Sequence, residues 1–263
     1  MEEERKKIER EHYDKLAKEW RQKHGEGENW QTDVESYDVD LMLSYQYFKG
    51  LIKNYIKPRM KVLDYGCGHG MHAILLAKLG AEVYGIDVSE ESLKIAKERT
   101  EREGVADKTK FFNMDGENMA FKDNYFDIVI DGGTFSSIDI NKALPEILRV
   151  LKPNGFLIGI ETFGHNPLAN LKRWFNKKIG KRTEWAVSHI LKTKDLKKAE
   201  NYFKIKEVRY FHLFSMFIFP FRNLASGKQI FKILDKIDYA IFMKIPLIKK
   251  LAFKIVFVFQ KNA

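Results

Sequence analysis

A single cysteine, Cys67, leaves this 263-residue chain without a partner for a disulfide and without thiolates for a zinc cluster. That scarcity fits a reducing compartment. Long apolar runs are missing as well. The longest, residues 211–221, holds His212 and Pro220 and spans 11 residues, about half of the ~20 that a membrane-crossing helix needs. The opening Met1-Glu2-Glu3-Glu4-Arg5-Lys6-Lys7 is charged, with no apolar stretch behind it. No secretion signal is therefore expected, and a cytoplasmic location is. There is no internal repeat, no low-complexity tract and no metal-ligand spacing, so no metal is expected. Acidic residues are scarce in one part only: residues 161–263 hold 22 Lys and Arg against 7 Asp and Glu, whereas 1–160 hold 24 against 29. The basic part also carries 13 of the 20 phenylalanines. Charge and apolar surface in one segment suit peripheral contact with an anionic membrane. They suit equally a lysine-rich solvated face over a phenylalanine-rich core.

What is present is organised around Val62-Leu63-Asp64-Tyr65-Gly66-Cys67-Gly68-His69-Gly70. Residues 61–65 read as a buried strand and 71–79 as a helix. The glycines between them supply unusual dihedrals and close approach to a ligand. A strand, a glycine-rich turn and a helix open a doubly wound α/β domain, with the ligand at the carboxyl end of the strand. A dinucleotide fingerprint would need its third glycine where Met71 stands. The pattern here is G-x-G-x-G, preceded by the carboxylate of Asp64, which would repel a pyrophosphate and suits a ligand with a cationic end.

Residues 2–24 form a charged helix whose apolar positions lie on one narrow face, and residues 41–56 a second helix ending before Pro58. From Lys61 onward strands at 61–65, 82–87, 110–114, 126–130 and 155–160 alternate with helices at 71–79, 90–103 and 140–151. That rhythm implies a parallel sheet. It breaks after Thr162. A stretch at 163–190 with a basic run precedes a helix at 194–202 and strands at 206–213 and 253–260.

The glycine turn, with Asp87 ending the second strand, resembles motif I of the class I S-adenosylmethionine (SAM)-dependent methyltransferases. Arg149-Val150-Leu151-Lys152-Pro153-Asn154-Gly155 resembles the family's R-x-L-K-P-x-G. The resemblance covers residues 61–162, and the core is similar to methyltransferase type 11 and quinone-biosynthesis enzymes. It implies a Rossmann-like, seven-stranded, mostly parallel sheet ending in two antiparallel strands, with residues 214–252 as a helical insertion between them. The domain would span 58–263, with an acceptor-side region at 163–204 and an N-terminal helical lid at 1–57. Tyr13 to Trp20 is similar to the lid helix of small-molecule methyltransferases. The cofactor is then SAM, and S-adenosylhomocysteine the product. Asp64 would lie near the ammonium, and Gly66, Cys67, Gly68 and Gly70 would supply backbone. Asp87, with Val88, would take the ribose. Asp115, Gly116 and Glu117 would face the adenine, while Asp131 and Gly132 would lie beside the sulfonium, with Tyr13 and Trp20 over the pocket.

Methyl transfer from a sulfonium needs alignment, plus a general base when the acceptor is a hydroxyl. His165, after the fifth strand, is the first candidate for that base and His189 the second, with Glu161 and Glu184 as orienters. Tyr37, Tyr45 and Tyr47 are candidates to line an acceptor pocket. A small or lipophilic acceptor is the favoured reading. An RNA methyltransferase and a non-catalytic SAM-binding protein remain beside it, although Asp131-Gly132-Gly133-Thr134 lacks the Pro-Pro-aromatic pattern of base-amino methylases.

Overall fold

The computed structural model describes residues 2–25, 43–217 and 227–263. Tyr37 and part of the 214–252 insertion lie outside them. Seven strands form one sheet: β1 Lys61–Tyr65, β2 Glu82–Asp87, β3 Thr109–Asn113, β4 Phe126–Asp131, β5 Leu151–Thr162, β6 Lys204–Phe211 and β7 Lys254–Gln260. Their order is β3-β2-β1-β4-β5-β7-β6. β1 to β5 run parallel, while β7 is inserted antiparallel to both β5 and β6. The order reverses between β1 and β4, the crevice where doubly wound sheets bind ligands.

Alternation along the strands builds both layers of the core. Leu63, Tyr65, Val129 and Leu157 point to one side, against Leu144 and Ile147 of α5 (Ile140–Val150). Val62, Val83, Ile128 and Ile158 point to the other, against Ile74 and Leu76 of α3 (Met71–Lys78) and Phe48 and Ile52 of α2 (Leu43–Tyr55). α4 (Glu90–Arg102) begins as expected, with the Ser89 hydroxyl accepting from the Ser92 amide at 3.0 Å. α1 (Glu2–His24) packs against α4, burying Ala17 beside Ile95 with Trp20 over them.

Several boundaries depart from expectation, and the helix expected at 194–202 runs over Thr193–Ala199. β5 begins at Leu151 rather than 155, because Leu151 pairs with Phe126 before a register shift. β6 starts two residues earlier than expected, at Lys204. Within 163–190, where no helix was expected, α6 (Pro167–Lys178) and the short α7 (Glu184–Ser188) form. Asn166 caps α6, accepting from the Ala169 amide at 3.0 Å, and Pro167 occupies its first turn. α8 (Thr193–Ala199) precedes β6, and α9 (Gly227–Lys244) with a 3-10 turn at Pro246–Leu251 lies between β6 and β7. Among the described residues no helix is long and apolar enough to cross a membrane.

Candidate active site

A cavity of about 410 Å³ opens at the carboxyl ends of β1, β2 and β4. Its floor is the turn after β1. There Gly66, Gly68 and Gly70 all take positive φ, at 66°, 48° and 75°. A Cβ on Gly66 would overlap the Thr134 side chain, and one on Gly70 would come within 2.9 Å of Ala96. A Cβ on Gly68 would meet nothing within 4 Å. Two glycines thus allow tight packing, and the third leaves backbone open to the cavity. Asp87 holds this turn: Oδ2 accepts from the Gly68 amide at 2.9 Å and Oδ1 from Ser89 at 2.9 Å. Burial raises its pKa, and these amides oppose the rise.

Of the residues expected at the donor site, Tyr13, Gly66, Cys67, Gly68, Asp87, Val88, Asp115, Gly116, Glu117 and Gly132 line the cavity. Asp64, Gly70, Asp131 and Trp20 do not. Asp64 and Asp131 sit fully buried behind the lining. Neither Asp64 oxygen receives a hydrogen bond of good geometry, and Oδ2 of Asp131 receives none. Burial, with Asp87 and Asp131 adding to it and the Ala73 amide opposing, raises the Asp64 pKa to about 7. Burial likewise raises Asp131 to about 7. Glu161 is pushed well up by burial and by the charge of Asp131 beside it. His72 lines the cavity with Nδ1 3.9 Å from Asp64, and burial lowers its pKa to about 4, so it is neutral at neutral pH. The Cys67 thiol is raised well above its usual range by burial and by Asp64, so it stays a thiol and no nucleophile. Trp20 packs its ring on His69, 4.9 Å away, at the edge of the turn.

The opposite wall comes from α1. Arg5, Lys6, Glu9, Tyr13, Leu16 and Ala17 line it. Arg5 grips both carboxylate oxygens of Glu117 at 2.6 and 2.7 Å, and Lys6 reaches Asp115 at 2.7 Å. Tyr13 and Ser137 share a hydroxyl hydrogen bond of 2.6 Å. Sequence reasoning missed Arg5, Lys6 and Ser137. A salt-bridging residue on a charged helix looks the same in sequence as a solvated one.

The two expected bases stand elsewhere. Nε2 of His165 accepts from the amide of Thr193 at 3.2 Å, and burial with Lys192 and Lys250 lowers its pKa. His189 is exposed, stacked 3.5 Å over Trp185, with Nδ1 bonded to Ser188 and the Trp185 carbonyl. Neither lines the cavity. Glu161 is spent on the Phe135 amide at 2.6 Å, and Glu184 pairs with Lys177 on the surface. Tyr45 receives Lys254 at 3.1 Å and Tyr47 bonds Glu207, so both are engaged away from the cavity.

Residues 63–159, which carry the glycine turn and all four carboxylate-bearing strand ends, match a family model described as a methyltransferase domain. That stretch is thus similar to a methyltransferase domain. Over 143 residues it is 39% identical to a demethylmenaquinone methyltransferase of Staphylococcus aureus, covering 51% of this chain and 58% of that protein. Over 102 residues it is 43% identical to a sterol 24-C-methyltransferase of Gibberella zeae, covering 38% and 27%. The chain thus spans less than two thirds of the length of these curated relatives. Among solved structures, a protein from Pyrococcus horikoshii superposes with a TM-score of 0.58 at 20% identity, covering 88% of this chain and 94% of that one. A geranyl diphosphate C-methyltransferase from Streptomyces coelicolor, in complex with Mg²⁺, geranyl diphosphate and S-adenosylhomocysteine, gives 0.59 at 13%, covering 90% and 86%. At those identities the likeness is one of fold.

Proposed function

We propose that this protein is an enzyme that transfers a methyl group from SAM to a small, lipophilic acceptor. The observations that carry the reading are an open Gly68 backbone at the cavity and a buried, unsatisfied carboxylate at Asp64, 3.9 Å from the lining residue His72. A buried acid without hydrogen bonds costs stability, and a cation bound next to it recovers part of that cost. In this reading Asp64 favours the ammonium end of the donor from behind the lining, Asp87 takes the ribose, and Asp115 with Glu117 the adenine, where Arg5 and Lys6 now partner them. When bound, SAM supplies an electrophilic methyl on a sulfonium. The chain's own part is to hold that donor against the glycine turn and to keep water out with α1 as a lid. His72 stands at the cavity wall as a neutral imidazole that burial keeps weakly basic. His165 and His189 are left out of the catalytic reading, because neither lines the cavity.

The lipophilic acceptor is supported by the names of the relatives, which act on a demethylmenaquinone and a sterol, and by the apolar residues Met71, Met114, Leu16 and Ile138 in the lining. Such an acceptor would be met at a membrane surface. The experiment is transfer of label from methyl-labelled SAM into lipid extract and into total RNA. Label in an organic-soluble product supports the reading. Label in RNA alone, or donor binding without any transfer, overturns it.

A further inference from the structure

The outer faces of α6 and α9 carry what the outside of a helix in water ordinarily lacks. On α6, Leu171, Trp174 and Phe175 follow an i, i+3, i+4 spacing, and all three are exposed. Ile179, one residue beyond the helix, is 62% exposed. On α9, Ile230, Ile233 and Ile237 make a second exposed stripe, opposite the side that buries Phe231, Asp235, Asp238 and Phe242. The 3-10 turn adds Leu247, at 78% the most exposed large apolar side chain among the described residues. The elements are connected: Nδ2 of Asn166, the cap of α6, donates to the Leu251 carbonyl at 2.7 Å, and α9 packs on the same turn.

The charges on these faces have one sign. Both acids of α9 are turned inward, where the Asp238 carboxylate accepts the amides of Leu213, Phe214 and Ser215. Lys232, Lys236 and Lys244 on α9, and Lys172 and Lys178 on α6, are exposed, while Lys177 pairs with Glu184 of α7. The Lys178 ammonium lies 3.9 Å over the Trp174 ring, holding charge and apolar surface side by side.

We propose that α6, α9 and the turn between α9 and β7 form a docking surface for an anionic lipid bilayer. The lysines would lie at headgroup level and the Ile, Leu, Trp and Phe side chains would enter the acyl boundary. Charge decides against a second copy of the chain, since two such faces would bring lysines against lysines. The aliphatic share of the patch favours lipid over RNA: bases stack on aromatic rings, which only Trp174 and Phe175 of these side chains offer, whereas Ile179, Ile230, Ile233, Ile237 and Leu247 offer none. The proposal rests on the reading above only for its purpose, delivery of a lipophilic acceptor.

The test is co-sedimentation of the full chain with vesicles of phosphatidylcholine and of phosphatidylcholine mixed with phosphatidylglycerol, at low and high salt. Donor binding and thermal unfolding are measured on the same samples. The expected result is binding to the anionic vesicles, weakened by salt. It should fall at least about tenfold in Ile233→Ser/Ile237→Ser/Leu247→Ser and in Trp174→Ser/Phe175→Ser, with unfolding and S-adenosylhomocysteine affinity unchanged. Four results overturn the proposal. These are no vesicle binding at low salt, vesicle binding that both variants retain, binding to single-stranded RNA in preference to vesicles, and a free-chain dimer that the variants dissociate. Loss of donor binding in the parent chain strikes the catalytic reading alone, because vesicle binding is read separately.

Discussion

Replacing Asp64 by Asn should make the ligand-free protein more stable and the enzyme worse. The side chain is fully buried, with no hydrogen bond of good geometry to either oxygen, and its pKa is raised from 3.8 to about 7. An acid whose folded pKa lies above its unfolded value binds its proton more tightly when folded. Its contribution is complete below about pH 4 and is lost as pH rises to about 7. At ~1.4 kcal/mol per pH unit, the wild type gives up roughly 4 kcal/mol across that window, as an upper figure. Asn keeps the shape and does not titrate. Urea unfolding of both proteins at pH 5 and pH 8 measures the difference, and groups common to both cancel. The variant should gain roughly 3 kcal/mol on the wild type between the two pH values. A difference that stays flat, or a wild type that is the more stable protein at pH 8, would refute the reasoning. The same variant should bind S-adenosylhomocysteine more weakly than the wild type.

Donor affinity of the wild type should itself climb between pH 6 and pH 8, because a cation selects the ionised form of Asp64, whose pKa is about 7; calorimetric titration at the two pH values checks this. Gly66→Ala and Gly68→Ala should separate folding from binding. The first strikes Thr134 at a φ of 66° and should cost about 2–4 kcal/mol in urea unfolding. The second points its Cβ into open space at a φ of 48° and should cost about 1 kcal/mol while weakening S-adenosylhomocysteine at least tenfold. Arg5→Met leaves the Glu117 carboxylate, 1% exposed, to Lys6 and the Asp139 amide alone. A loss of about 2 kcal/mol and faster hydrogen exchange along α1 should follow. His165→Ala and His189→Ala, both away from the cavity, should leave S-adenosylhomocysteine affinity within about twofold.

Legibility in the sequence followed the number of constraints on each residue. β1, β2 and β4 are buried on both faces and end in a glycine or a carboxylate, so composition and punctuation agreed and their bounds fell within a residue of expectation. The mostly parallel sheet with two antiparallel closing strands came from the resemblance and the alternation of elements together, and the strand order from the structure. α6 escaped notice although Leu171, Trp174 and Phe175 keep helical spacing, because that apolar stripe faces outward while the buried side carries Ala169 and Arg173. The cap Asn166-Pro167 was the available signal. Within the site, strand-end acids were legible because topology gathers them at one rim. Their division into lining (Asp87, Asp115) and buried (Asp64, Asp131) depends on side-chain packing that no spacing encodes. Arg5 and Lys6 were hidden for a different reason. Their partners lie 112 and 109 residues away, and nothing local marks them.

Titration of the full chain with S-adenosylhomocysteine, and separately with NAD, bears most directly on what the turn around Gly68 is built to hold. One equivalent of S-adenosylhomocysteine bound, with no heat from NAD, is the result expected of a cavity whose acids repel a pyrophosphate. Saturable binding of NAD, or no binding of S-adenosylhomocysteine, would contradict the account.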